Sequence, residues 1–210
     1  MRIRKKKWVH PFLETEDKYL LKENLKGQYL QKYPFSKLIL EVGMGMGDFI
    51  ISSAKEHRDV LYIGLEKDET CVAKTILKAQ EAKLDNLLII NDNAQKLCDY
   101  FEDEEVDMIY LQFSDPWPKK GHYKRRLTYE TFLRNYMAIL KDKATIYFKT
   151  DNEGLYCFSL PSMTNFGFKL VEMSLDYHAD GKKYPMTGYE EKFIDQGMKI
   201  YYALFQKDKN

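Results

Sequence analysis

Short apolar runs closed by turn residues alternate along this chain with stretches whose apolar positions recur every three or four residues. Leu38-Ile39-Leu40-Glu41-Val42 leads into Gly43, and Leu61-Tyr62-Ile63-Gly64-Leu65 ends at Glu66. Leu87 to Ile90 runs into Asn91-Asp92-Asn93-Ala94, Asp107 to Gln112 forms a fourth run, and Ala144 to Lys149 ends at Thr150-Asp151. Runs of this length, rich in β-prone residues and bounded by breakers, predict buried strands. Between them Val72, Ile76 and Ala79 repeat at helical spacing. Tyr129, Phe132, Leu133, Tyr136, Met137 and Leu140 do the same behind a predicted Thr128 cap. Strands that alternate with helices predict an α/β fold of βαβ units around a doubly wound, mostly parallel sheet. Phe168 to Met173 and Ile200 to Phe205 predict a closing pair of strands. The polar loop between them, Asp176 to Gly197, exceeds an ordinary connection and marks a candidate functional loop.

Size and composition narrow this picture without changing it. At 210 residues the chain suits one domain spanning 1–210, with a basic N-terminal arm over about residues 1–12. A chain 44% hydrophobic and 31% charged is an ordinary globular protein. Net charge is +1, so bulk charge predicts no partner, whereas its distribution does. Arg2, Arg4, Lys5, Lys6 and Lys7 form one cationic cluster, and Lys119 to Arg126 form another. Cys71, Cys98 and Cys157 are widely spaced with no Cys-x-x-Cys pair. They predict buried, inert thiols in a reducing cytoplasm. The four histidines form no ligand cluster, so no metal is expected, and no signal or membrane span is apparent.

The chemistry begins where the fourth run ends. Phe-Ser-Asp-Pro-Trp-Pro-Lys-Lys-Gly-His-Tyr-Lys-Arg-Arg occupies residues 113–126. Asp115 is followed by two prolines around Trp117, then by five Lys or Arg in eight residues. Each proline fixes φ and removes an amide donor, so the acid sits on a stiff corner that opens onto a cationic loop. Such a corner at the carboxyl edge of an α/β sheet predicts chemistry on a polyanionic substrate. Trp117 is expected to pack on the sheet edge, with facing the substrate as the alternative, and Tyr123 to stack on a base. Lys119, Lys120, Lys124, Arg125 and Arg126 are the expected phosphate contacts, which predicts a salt slope of roughly 4 to 5.

Gly43, Gly45 and Gly47 follow the first strand, where glycine lets backbone approach a ligand. A dinucleotide fingerprint needs a sixth-position glycine, and Asp48 stands there instead. An anion at a helix N-terminus would oppose a pyrophosphate, so a ligand without phosphates is favoured. Glu66 ends the second strand, 23 residues after Gly43, where a carboxylate can bind ribose hydroxyls. Asn93-Ala94 can read an adenine edge, and Glu41 and Asp115 add negative charge. S-adenosylmethionine fits this set, with a ribose, an adenine, no phosphate and a cationic sulfonium. The alternatives are a nicotinamide-dependent oxidoreductase using the same turn, against which Asp48 counts, and a non-catalytic RNA-binding module.

Glu41-Val-Gly-Met-Gly-Met-Gly, Gly64-Leu-Glu66, Ser114-Asp-Pro-Trp-Pro-Lys-Lys120, Lys124-Arg-Arg-Leu127, Lys149-Thr-Asp151 and Thr187-Gly-Tyr-Glu190 span nearly the whole chain. In these motifs and their order the chain closely resembles the bacterial tRNA (guanine-N7-)-methyltransferases. The resemblance implies a class I methyltransferase fold, Rossmann-like, with a seven-stranded sheet whose last inserted strand is antiparallel. It implies S-adenosylmethionine bound through Glu41, Glu66, Asn93 and Asp115, with Asp115 the active-site residue. It implies guanosine and tRNA contacts through Lys119, Asp151, Thr187, Gly188, Tyr189 and Glu190, and a variable-loop guanosine as target. Either Asp151 or Glu190 could accept the two donors of a guanine edge. Gly121 stands where an arginine is common and Asn93 where an aspartate is common, so Asp92 is the alternative adenine partner. A monomer and a homodimer are both compatible with this sequence.

Overall fold

In the computed structural model, which describes residues 6–181 and 197–208, the predicted runs become one seven-stranded sheet. Strands β1 (Lys37–Val42), β2 (Val60–Leu65), β3 (Leu87–Ile90), β4 (Val106–Gln112) and β5 (Leu140–Thr150) run parallel to one another. Strands β6 (Phe168–Ser174) and β7 (Tyr201–Lys207) close the sheet in the order β3-β2-β1-β4-β5-β7-β6. β7 is antiparallel to both β5 and β6, which gives the single reversed strand the resemblance implies.

Alternation along each strand sorts side chains onto two cores. Leu38, Leu40 and Val42 of β1 join Leu97, Leu133, Tyr136, Leu155 and Met163 on one face. That face is covered by helices α2 (Tyr29–Lys32), α5 (Leu97–Tyr100), α6 (Glu130–Ile139) and α7 (Glu153–Phe166). Ile39 packs on the other face with Val9, Leu13, Ile50, Val72, Ile76 and Ala79. These come from α1 (Val9–Thr15), α3 (Asp48–Glu56) and α4 (Glu69–Glu81). The stripe of Val72, Ile76 and Ala79 is fully buried, as its spacing predicts.

Several local features depart from expectation. Thr128 does not cap α6; its hydroxyl lies 2.8 Å from that of Ser159, and Tyr129 occupies the cap position without a side-chain bond. The buried Thr128 hydroxyl finds a partner on α7 and leaves the α6 amides to the backbone. β5 begins at Leu140, directly after α6, and its register with β4 shifts between Val106 and Met108. α1 and α7 were not visible as periodic stripes: α1 holds Pro11, and α7 holds Pro161. Tertiary packing and caps stabilise them instead. Val9 and Leu13 are buried near α4, and Asn152 accepts the Leu155 amide at 2.8 Å at the start of α7. Of the cysteines only Cys71 is buried, its thiol pushed up to about 12 by burial; Cys98 is half-buried and Cys157 is exposed. The expectation of three buried thiols therefore holds for one. Among the described residues no helix is long and apolar enough to cross a membrane, and no group of three metal-ligating side chains occurs.

Candidate active site

The carboxyl ends of the first four strands open into a cavity of about 500 Å³, within the ~300–1,000 Å³ typical of small-molecule sites. Val42, Gly43 and Gly45 line it from β1, and Leu65, Glu66 and Lys67 from β2. Asp92 to Gln95 contribute from β3, and Phe113, Ser114, Asp115 and Trp117 from β4. Lys124, Arg125, Leu127 and Phe132 complete the wall. Three of the four predicted polar groups, Glu66, Asn93 and Asp115, thus meet at one cavity.

The fourth does not. Glu41 shares the sheet face of Ile39 and is absent from the cavity wall. It is only 3% exposed, and its Oε2 has no hydrogen-bond partner among the described residues. Burial pushes its carboxyl well above the ordinary range, and the charges of Glu66 and Asp48 push the same way, against one amide bond from Ile50. Native Glu41 therefore keeps its proton to higher pH than the unfolded chain, where a glutamate titrates near about 4.3. Its contribution to stability is complete below that value and is lost as pH rises through the native pKa. Glu41→Gln is expected to abolish this loss. The variant will melt above the wild type at pH 8 and level with it at pH 4, as melting curves across that range will check.

The glycines of the turn also divide. Gly43 and Gly45 face the cavity with φ of 76° and 54°. Gly47 instead begins α3 at φ 72°, and a Cβ there would lie 2.3 Å from Thr75 Cγ2. The close packing of α3 on α4 requires this glycine; it does not line the wall. Asp48 follows in the first turn of α3, paired with Lys78.

Glu66 links two strand ends. Its Oε1 accepts the amides of Lys67 and Asp68, both at 2.9 Å, and its Oε2 accepts the Gly45 amide at 3.2 Å. Of about four lone-pair sites, roughly one remains. At the end of β3, Asp92 accepts from the Asn93 amide, the Tyr100 hydroxyl and Lys96. Burial alone would raise its carboxyl, but these bonds outweigh it and leave Asp92 below the usual range. Asn93 spends one oxygen lone pair on the Gln95 amide at 3.0 Å, which starts a single turn of 3-10 helix. The Ser114 hydroxyl, on the cavity wall, is buried with no hydrogen-bond partner among the described residues. An adenosine group suits this lining: a carboxylate with a lone pair to spare, a side-chain amide and a buried hydroxyl surround a cleft between acids.

Beyond β4 the backbone is strained. Phe113 and Trp117 have φ of 47° and 43°, and a left-handed non-glycine residue costs roughly 1–2 kcal/mol. The Phe113 amide donates to the Lys149 carbonyl of β5 at 3.0 Å, which turns the chain at the strand end. Asp115 is exposed at the resulting corner. Trp117 lines the cavity, the alternative to packing on the sheet edge. Its ring lies 4.9 Å from the Arg125 guanidinium and 5.9 Å from Lys67 Nζ. Lys67 was missed by sequence reading, although its place directly after Glu66 could have pointed to it.

Lys119, Lys120, Lys124 and Arg125 are exposed, and Lys124 and Arg125 reach the cavity mouth. Arg126 departs from the phosphate contact expected of it. Its half-buried side chain turns inward and donates to the carbonyls of Pro116 and Trp117. Tyr123 is exposed, edge-on to Tyr129 at 5.5 Å. Asp151 directly follows β5, the neighbour of β4, and is half-buried. Thr187, Gly188, Tyr189 and Glu190 lie outside the described residues.

The chain is similar to known proteins. The Methyltransf_4 family model, described as a methyltransferase, matches residues 36–203. The chain is 44% identical over 207 residues to the tRNA (guanine-N(7)-)-methyltransferase of Staphylococcus carnosus, covering 96% of this chain and 97% of that one. It is 44% identical over 206 residues to the same-named protein of Limosilactobacillus reuteri, with 96% and 97% covered. Among solved structures it is similar to the 16S rRNA methyltransferase KamB, with a TM-score of 0.67 at 16% identity, covering 90% of this chain and 96% of that one. The last likeness establishes the class I methyltransferase fold.

Proposed function

This chain belongs to the tRNA (guanine-N(7)-)-methyltransferase family, and from that premise we propose how its residues divide the work of one reaction. It transfers a methyl group from S-adenosylmethionine to N7 of a guanosine in tRNA. The target is the variable-loop guanosine and the setting is the cytoplasm, where three free cysteines are at home. One observation carries the assignment of roles: a cleft walled by acids at three strand ends meets the cationic side chains of Lys124 and Arg125 beside Asp115.

S-adenosylmethionine, when bound, supplies an electrophilic methyl group on a sulfonium. Glu66 offers its remaining lone pair to the ribose. Asn93 takes the adenine edge in preference to Asp92, whose oxygens are already held by Asn93, Tyr100 and Lys96. Gly43 and Gly45 form the floor, and Glu41 supports the turn from behind.

Guanine N7 carries an in-plane lone pair and no proton, so no general base is required to make it a nucleophile. The demand is alignment of N7 with the methyl carbon. Positive charge then develops on the purine, and the Asp115 carboxylate stabilises it without taking a proton. Guanine presents two adjacent donors, N1–H and its exocyclic amine. A carboxylate accepts both, and a buried acid left unpaired by adenine enforces the choice. Asp151, which directly follows β5, and Glu190 are the two carboxylates proposed for this edge. Lys119, Lys120, Lys124 and Arg125 hold phosphates.

The deciding experiment incubates the protein with methyl-labelled S-adenosylmethionine and a tRNA transcript, then maps the labelled atom by digestion and mass spectrometry. Label at guanine N7 is expected. Label on an exocyclic amine or on adenine overturns the proposal.

A further inference from the structure

We propose that Arg126 is a positioning residue of the transfer reaction, holding the corner that carries Asp115 instead of binding a phosphate. Pro116 and Pro118 have no amide hydrogen, so the corner has few donors of its own with which to fix its shape. Arg126 supplies them from outside. Its Nε donates to the Pro116 carbonyl at 2.9 Å, and its Nη2 reaches the Trp117 carbonyl at 3.4 Å. These are the two residues that directly follow Asp115, and Trp117 is held there at a left-handed φ.

The guanidinium is itself held. Its carbon lies 4.5 Å from the centre of the Phe158 ring on α7. The Arg126 amide donates to the Tyr123 carbonyl at 3.1 Å, and its own carbonyl accepts the Tyr129 amide at 2.9 Å. One planar group therefore joins the corner after β4 to α7, the helix that begins two residues after Asp151. A planar fork with several fixed donors can bridge two carbonyls while lying on a ring, and a lysine ammonium cannot. Arg125, its neighbour, is exposed and lies over the Trp117 ring instead.

This role rests on the reading of Asp115 as the group beside the reacting purine, and the test separates the two. Arg126→Ala and Arg126→Lys are compared with wild type and Asp115→Asn in single-turnover methyl transfer at saturating S-adenosylmethionine and tRNA. tRNA affinity is measured at several salt concentrations, and thermal melts are recorded. Both Arg126 variants are expected to lose about a hundredfold in rate, the loss a 1 Å misplacement of reacting groups produces. Their tRNA affinity and its salt slope are expected to stay within about twofold of wild type, because no phosphate contact is removed. Added methylguanidine is expected to restore part of the Arg126→Ala rate, which a mere defect of folding would not permit. Should Arg126→Ala fail to fold, Arg126→Lys decides.

A wild-type rate in Arg126→Lys overturns the proposal. So does a loss confined to affinity with the salt slope reduced by about one, the signature of a phosphate contact. Near-normal transfer by Asp115→Asn removes the reading of Asp115 whatever Arg126 does. A slow Asp115→Asn beside an unimpaired Arg126→Lys removes only the positioning role.

Discussion

Replacing Asp115 with asparagine is expected to slow single-turnover methyl transfer by about two to three orders of magnitude, the scale measured when one preorganised electrostatic group is removed from a transition state. The substitution keeps the shape of the side chain and deletes only its charge. Asp115 stands exposed on the corner, and the structure records no hydrogen bond or ion pair to its carboxylate among the described residues. Stability is therefore expected to change by no more than about 0.5 kcal/mol, as for surface substitutions in general. The loss should appear in the chemical step, with tRNA affinity nearly unchanged. Rapid-quench kinetics with labelled S-adenosylmethionine reads the rate, and a variant within a few-fold of wild type removes Asp115 from the reaction.

A second large effect is expected from salt. The loop carries five cations, but Arg126 is turned to the corner carbonyls, which leaves Lys119, Lys120, Lys124 and Arg125 for phosphates. At about 0.9 per neutralised phosphate on a duplex, four contacts give a slope of roughly 3 to 4. Raising salt from 50 to 200 mM is then expected to weaken tRNA binding by about two orders of magnitude. Fluorescence anisotropy across that range measures it. Indifference to salt contradicts recognition through this loop, and a slope clearly above 4 returns Arg126 to the phosphates.

Much of the site was legible because its chemistry is written in short, contiguous motifs. Gly43, Gly45, Glu66, Asn93 and Asp115 each follow a strand whose apolar run is plain. The parallel topology that brings them together follows from the alternation of strands and helices. Side-chain direction was not legible. Glu41 is one residue before Val42, which lines the cavity, yet it lies on the opposite sheet face, because alternate residues of a strand project to opposite sides. Gly47 continues the glycine series, but its lack of a Cβ serves the approach of Thr75 on α4, some thirty residues away. Lys67 gave no signal beyond its place after Glu66. α7 was hidden by Pro161 and is held by the Asn152 cap and by packing.

By itself the sequence determined the order of the strands and the residue types available at each strand end; the reversed strand came from the family resemblance. Hydrophobic periodicity and turn chemistry are local properties that the chain expresses wherever it folds. Only the tertiary structure decided which of the neighbouring cations faces solvent and which is spent inside. Arg125 and Arg126 are adjacent and chemically identical, yet one is exposed on the Trp117 ring while the other caps carbonyls that two prolines leave without local donors. That choice depends on Phe158, brought beside them by the packing of α7, and no local pattern encodes it.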